Sequence, residues 1–336
     1  MIAAAGVALL DINQKKPVLP EPVQTESAPL AESISPAKPS EPAPPPSKQK
    51  PKPLITPLVP VQNPPPTPVV QPVNQPSRSI DLHTVVVLRC DFVNNAGRKK
   101  QAFGSGVIIS SQGIILTARH VFDLEYAYEI TGGNQGALGY KFEGCDVGQP
   151  PQGVSTPTAS QIRAINPFTI VEVLPFRAEK FFVPSPTGWS PAEINFIDIG
   201  FLKISRINGD GSAFGLASLP AAFEFSPMMA DEIPGDGEEI ITFGFPSGNP
   251  QYGGRFFLQG SIGQTTATVV GDQKFNNEPI GIQALMETIG GRSGSPVFWR
   301  GYVIGVVSSK EDYSINSTSI SVVPLMRVLG EAGVSF

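Results

Sequence analysis

Proline and glycine divide this chain in two, and the division decides where a fold can begin. Twenty of the 36 prolines lie between Pro17 and Pro76, whereas only one of the 34 glycines, Gly6, precedes residue 80. Proline fixes φ and removes a backbone donor, so a tract this dense in it supports neither a helix interior nor a central strand. Residues 11–79 also lack any aromatic side chain and any sustained apolar period. They cannot bury enough surface to offset the entropy of ordering. A disordered tether of largely polyproline II character is expected, with a reach of roughly 190 Å if about 60 residues extend fully. Service as a ligand for an SH3-like partner is the other use of such a tract.

Ahead of it, residues 1–10 form an apolar stub, too short to span a bilayer and without a basic leading segment. Two readings stay open: the remnant of a signal or membrane anchor, or an end with no targeting role. An apolar stub followed by a long spacer points to the cell envelope, a periplasmic or secreted location, with membrane contact only through such an anchor.

Residues 80–336 are left to fold, rich in Gly, Val, Ile and Phe, and long enough for one large all-β unit. The net charge of −5 offers no broad surface for nucleic acid. The one basic cluster, Arg98-Lys99-Lys100 after Asn94-Asn95-Ala96-Gly97, reads as a solvated hairpin turn. Two histidines, His83 and His120, exclude a His-rich metal site, and no metal or cofactor is expected. Cys90 and Cys145 match no metal spacing; one bridge and two unpaired buried thiols are both compatible with the sequence. Oligomeric state is not encoded in any recognisable pattern.

Short β-branched runs separated by turn residues predict a barrel or sandwich rather than βαβ units. Strands are expected at Val85–Leu88, Gly106–Ser110, Ile114–Leu116, Thr169–Val173, Ile197–Ile204, Glu239–Phe243, Phe256–Gln259, Gly281–Met286, Pro296–Trp299 and Tyr302–Val307. Between Asp123 and Pro191 the pattern is poor, and strands with an enlarged loop are expected. Near the end, Pro324, Leu325, Val328, Leu329 and Gly330 carry helix start, face and stop signals.

Three stretches carry chemistry: Leu116-Thr117-Ala118-Arg119-His120-Val121, Ile197-Asp198-Ile199-Gly200, and Gly291-Arg292-Ser293-Gly294-Ser295-Pro296. Acyl transfer needs a hydroxyl beside a base, and donors where negative charge develops. Ser293, in a Gly-x-Ser-Gly turn, would be the nucleophile, with the amides of Gly291 and Ser293 as an oxyanion hole. His120 would take the hydroxyl proton, and Asp198 would hold the imidazole tautomer. The order His, Asp, Ser, with no histidine after Ser293, excludes the α/β-hydrolase arrangement. The absence of a thiol from the loop excludes a cysteine peptidase.

In this order and these flanks the stretches resemble the trypsin-like, chymotrypsin-fold serine peptidases, and among them the bacterial HtrA/Deg-type protease domain. Gly104-Ser105-Gly106-Val107-Ile108-Ile109 followed by the His120 stretch is similar to the family's histidine block. Asp198-Ile199-Gly200-Phe201-Leu202-Lys203 is similar to its aspartate block, and Gly291–Pro296 to its serine block. Gly244-Phe245-Pro246-Ser247-Gly248 resembles a turn of the second barrel. The resemblance implies two six-stranded β-barrels with the site in the cleft between them, a C-terminal helix, and a polypeptide substrate. It also implies that Val307, Ser308 and Ser309 pair with the substrate backbone. Glu287, six residues before Ser293, stands where the digestive enzymes carry the base of their primary pocket, and would favour Arg or Lys beside the scissile bond.

Some positions depart from that pattern. Arg292 replaces the aspartate that pairs with a freed N-terminus in the digestive branch, and no Ile-Val-Gly-Gly-like start is present. Arg119 replaces the usual small residue before the histidine. The 43 residues after Ser293 leave no room for a PDZ domain. The rival reading is a proteolytically silent trypsin-fold module, used for binding and organised by the tether.

Overall fold

The computed structural model describes residues 10–11, 78–130, 139–163, 169–183, 198–228, 232–246, 255–270, 279–286, 292–310 and 317–321. The expected C-terminal helix, Glu287, Gly291 and almost all of the Pro-rich tract lie outside them. Strands dominate. Those of the first sheet are β1 (Leu10–Asp11), β2 (Val85–Asn94), β3 (Lys99–Ile108), β4 (Ile114–Thr117), β5 (Tyr140–Gly148), then, after β6 (Thr169–Val171) of the other sheet, β7 (Phe176–Phe182) and β8 (Gly200–Ile207). Their order is β1-β3-β2-β5-β7-β8-β4, and β4 pairs back onto β3, so six strands close into a barrel. Because β4 covers only Gly106–Ile108 of β3, the other end of β3 keeps an open edge. Leu10 and Asp11 pair there with Gln101 and Lys100.

The second sheet comprises β9 (Glu239–Gly244), β10 (Phe256–Val270), β11 (Pro279–Met286), β12 (Pro296–Trp299), β13 (Tyr302–Lys310) and β14 (Ser317–Ser321). It runs β11-β14-β13-β12-β9-β10-β6, and β11 also pairs with β10. Among the described residues, three short helices precede β9: α1 (Leu124–Ile130), α2 (Ala159–Arg163) and α3 (Gly209–Ala213). The side chain of Asn208 caps α3 by accepting from the Gly211 N–H at 3.0 Å.

Strand β2 shows why the expected apolar runs are continuous instead of alternating. Val86, Leu88, Cys90 and Phe92 pack inside the first barrel with Ile108, Ile115 and Leu202. Val85 and Val87 belong to another cluster, with Phe243, Phe298, Val303 and Val306 of the second sheet. Both faces are buried, so both sets of positions are apolar.

Several boundaries differ from expectation. β5 and β7 were expected only as part of a poorly patterned region, because charged residues interrupt them. In the fold those charges pair. Arg89 donates to Asp146 at 2.7 Å, and Arg177 to Asp91 at 2.7 Å and to Asp146 at 3.1 Å. Burial pushes the Asp146 carboxyl up, but hydrogen bonds from Arg89, Asn208 and Arg177 outweigh it and hold the group below the usual carboxylate range. β10 runs to Val270, well past the expected Gln259, through Gly, Ser, Gln and Thr that carry little strand signal. β8 begins at Gly200, so Asp198 precedes the strand and does not lie within it. The hairpin at the basic cluster forms as expected: Asn94 Oδ1 accepts from the N–H groups of Ala96 and Arg98, and Lys99 already begins β3.

Cys90 and Cys145 face each other across β2 and β5 and form a disulfide that closes a sequence separation of 55 residues. A loop of that length corresponds to roughly 4 kcal/mol of lost chain entropy in the unfolded state. Replacing both cysteines with alanine is therefore expected to lower the stability of the folded part by a few kcal/mol. Chemical denaturation followed by tryptophan fluorescence and far-UV circular dichroism reads the change; an unchanged midpoint would mean that the bridge adds nothing.

Candidate active site

The chain turns sharply after β4. Ala118 is still extended (φ −74°, ψ 135°), and Arg119–Val121 then form a single 3₁₀ turn that carries His120 inward to 1% exposure. Asp198 approaches from the segment leading into β8 and is fully buried. Its Oδ1 accepts the His120 backbone N–H at 2.9 Å, and its Oδ2 accepts from His120 Nδ1. The Asp198 carbonyl also accepts the Arg119 N–H at 3.3 Å. Two residues on, Gly200 makes room for Phe122: a Cβ there would lie 2.3 Å from the phenyl ring. The histidine turn and the aspartate segment thus clasp each other through backbone and side chain alike.

Arg119, unexplained by the sequence, now has a role beside this clasp. Its Nε donates to Asp123 Oδ2 at 2.9 Å, and its guanidinium lies 4.4 Å from the centre of the Tyr126 ring. It braces the chain leaving the histidine turn.

A carboxylate only accepts, so the Nδ1 bond places a proton on Nδ1, and in the neutral ring the lone pair then lies on Nε2. His120 Nε2 is buried without a hydrogen-bond partner among the described residues. A buried ring nitrogen in that state is costly.

Ser293 sits in a turn at the head of β12, partly exposed. Its carbonyl accepts the Ser105 N–H at 2.8 Å, Gly294 N–H donates to Val307 O at 2.7 Å, and Val307 N–H donates to Ser295 O at 2.8 Å. Ser105 is a junction that the sequence did not single out. Its hydroxyl accepts the Phe245 N–H at 2.8 Å, and its carbonyl accepts the Thr117 hydroxyl at 2.6 Å. The serine turn is in this way fastened to β3, which belongs to the barrel carrying His120 and Asp198. No short motif signals such a contact.

Gly294 has φ +80°, and a Cβ on it would lie 2.2 Å from Ser105 O, 2.2 Å from Thr117 Oγ1 and 2.9 Å from Ala118 N. Left-handed backbone strain and overpacking together predict a loss of about 2–5 kcal/mol for Gly294→Ala. A thermal melt of the variant measures it; a melting temperature equal to the wild type would show that the turn relaxes at no cost.

Among the residues expected to pair with substrate, two have other duties. Val307 spends both backbone groups on the serine turn, so it has none to offer a substrate. Ser308 donates its hydroxyl to Asp198 Oδ2 at 2.7 Å and supports the carboxylate. The side chain of Ser309 lies outside the described residues, as do Glu287 and Gly291. Arg292, which an isolated sequence would place at the surface, is 1% exposed.

No curated protein matches the sequence. Among solved structures, the active form of the Rv3671c protease from M. tuberculosis aligns at 16% identity over 76% of this chain and 83% of that one, with a TM-score of 0.43. Deg5 aligns at 15% identity over 74% and 87%, with a TM-score of 0.41. The family model for the trypsin-like peptidase domain matches residues 104–306, which hold His120, Asp198 and Ser293. With more than half of its length so matched, the chain belongs to the trypsin-like peptidase family.

Proposed function

We propose that this protein is a serine endopeptidase acting through an acyl-enzyme, with Ser293 as nucleophile, His120 as general base and acid, and Asp198 as the group that fixes the imidazole. The observation that carries this reading is the buried Asp198–His120 pair, whose Nε2 has no hydrogen-bond partner among the described residues. Ser293 Oγ attacks the scissile carbonyl carbon while its proton passes to His120 Nε2. The C–N bond then breaks, and the same proton leaves with the amine. A water molecule repeats the sequence on the ester, returning a proton to Ser293. The amides of Gly291 and Ser293 would receive the oxyanion. Substrate backbone pairing falls to β13 from Ser308 onward, since Val307 is occupied.

The Cys90–Cys145 disulfide favours an oxidising compartment, in line with an envelope, periplasmic or secreted location. The test of activity is labelling by a serine-directed fluorophosphonate. Native protein is expected to label stoichiometrically, with peptide mapping placing the adduct on Ser293. A folded sample that takes up no label would overturn the proposal.

A further inference from the structure

Arg292 immediately precedes the serine, and its burial is unexpected for a residue of that charge. A guanidinium withdrawn from water must find acceptors, or its desolvation goes uncompensated. Here Nη1 donates to Ser261 Oγ at 2.5 Å, and Nη2 to Thr242 O at 3.1 Å and Gln259 O at 3.5 Å. Thr242 and Ser261 are register partners on β9 and β10, and Gln259 pairs with Gly244 two residues along. The fork therefore lies across two adjacent strands of the second sheet, and its planar donors match fixed carbonyls. The same turn is held at its other points by Ser105 N–H on Ser293 O and by Gly294 N–H on Val307 O. Three anchors from separate elements converge on one short turn, and among the described residues the arginine is the one that acts through a side chain of the turn itself.

We propose that Arg292 is a positioning residue of the serine turn. From inside the second barrel it does what an ion pair between an aspartate and a freed N-terminus would do. The turn is then built in its working geometry without proteolytic activation. This rests on the reading of Ser293 as nucleophile. Arg292 touches no reacting atom; it acts through the backbone that carries Ser293.

The test compares fluorophosphonate labelling and peptide hydrolysis by the full chain with Arg292→Met, Arg292→Ala and Arg292→Lys. For Arg292→Met, both the labelling rate and kcat are expected to fall about 10²-fold, the cost of a small displacement of a reacting group. KM should move much less, since the loss is of alignment and not of binding. Methylguanidine added to Arg292→Ala should restore part of the labelling rate, and Arg292→Lys should be intermediate. A purely structural role would instead lower the active fraction, leave kcat per labelled site unchanged and respond to no added guanidinium. Labelling of Arg292→Met at the wild-type rate would overturn the proposal. Should that variant fail to fold, Arg292→Lys decides: a wild-type rate in the folded lysine variant also overturns it. Absence of label from the native protein would instead sink the peptidase reading, which keeps the two failures apart.

Discussion

Replacing Ser293 with alanine is expected to abolish turnover, lowering kcat by about 10⁶-fold while leaving the fold intact. The magnitude follows from what the hydroxyl does. In the proposed mechanism it supplies the atom that bonds to the acyl carbon, and water placed by the remaining groups would be a far weaker substitute. Little should change elsewhere, because among the described residues the contacts that fix Ser293 run through backbone: its carbonyl accepts the Ser105 N–H, and the neighbouring Gly294 N–H donates to Val307 O. The alanine variant should therefore melt at nearly the wild-type temperature and still bind peptide. Steady-state hydrolysis of a protein substrate beside a thermal melt gives both numbers. Retained activity would move the nucleophile elsewhere; a collapsed melting temperature would mean that the hydroxyl is structural.

Asp198→Asn is expected to cost about 10⁴-fold in kcat with the geometry preserved. The hydrogen bonds around the carboxylate dictate how the amide must sit. The His120 backbone N–H can only donate, and it lies 2.9 Å from Oδ1, so the amide oxygen must occupy that position. The NH₂ group is thereby forced to the site of Oδ2, where it faces His120 Nδ1 and the Ser308 hydroxyl. The hydroxyl can rotate and accept. The imidazole can accept at Nδ1 only by moving its proton to Nε2, and an Nε2–H cannot take the proton of Ser293. The variant thus keeps its contacts and loses its base. Proton NMR of the ring hydrogens in the folded variant would show the exchanged tautomer. Activity within tenfold of the wild type would mean that Asp198 does not select the tautomer.

Some of this architecture is legible in the sequence. Runs such as Val85–Leu88, Ile114–Leu116, Glu239–Phe243 and Pro296–Trp299 are strands whose two faces are buried in separate clusters, which leaves an apolar signature on most of their residues. β5 and β7 carried no such signature. Their Asp146 and Arg177 look like solvated charges until Arg89 and Asp91 are brought alongside, and a single sequence does not state that pairing. The disulfide stayed open for the same reason, since two cysteines 55 residues apart become partners only when β2 and β5 align.

At the site, the sequence by itself determined which groups are available and in what order: one histidine in the right flank, one aspartate, one serine in a glycine-rich turn. Residue type and chain order can be read along the chain, and they suffice to point to the proposed chemistry. Only the tertiary structure decided how those groups are held. Asp198 meets His120 across 78 residues and Ser308 across 110; Ser308 thereby becomes a support of the carboxylate, and Arg292 becomes a buried anchor. Such assignments follow from which donors and acceptors are left facing one another after burial, and burial is a property of the closed barrels, not of any stretch of chain.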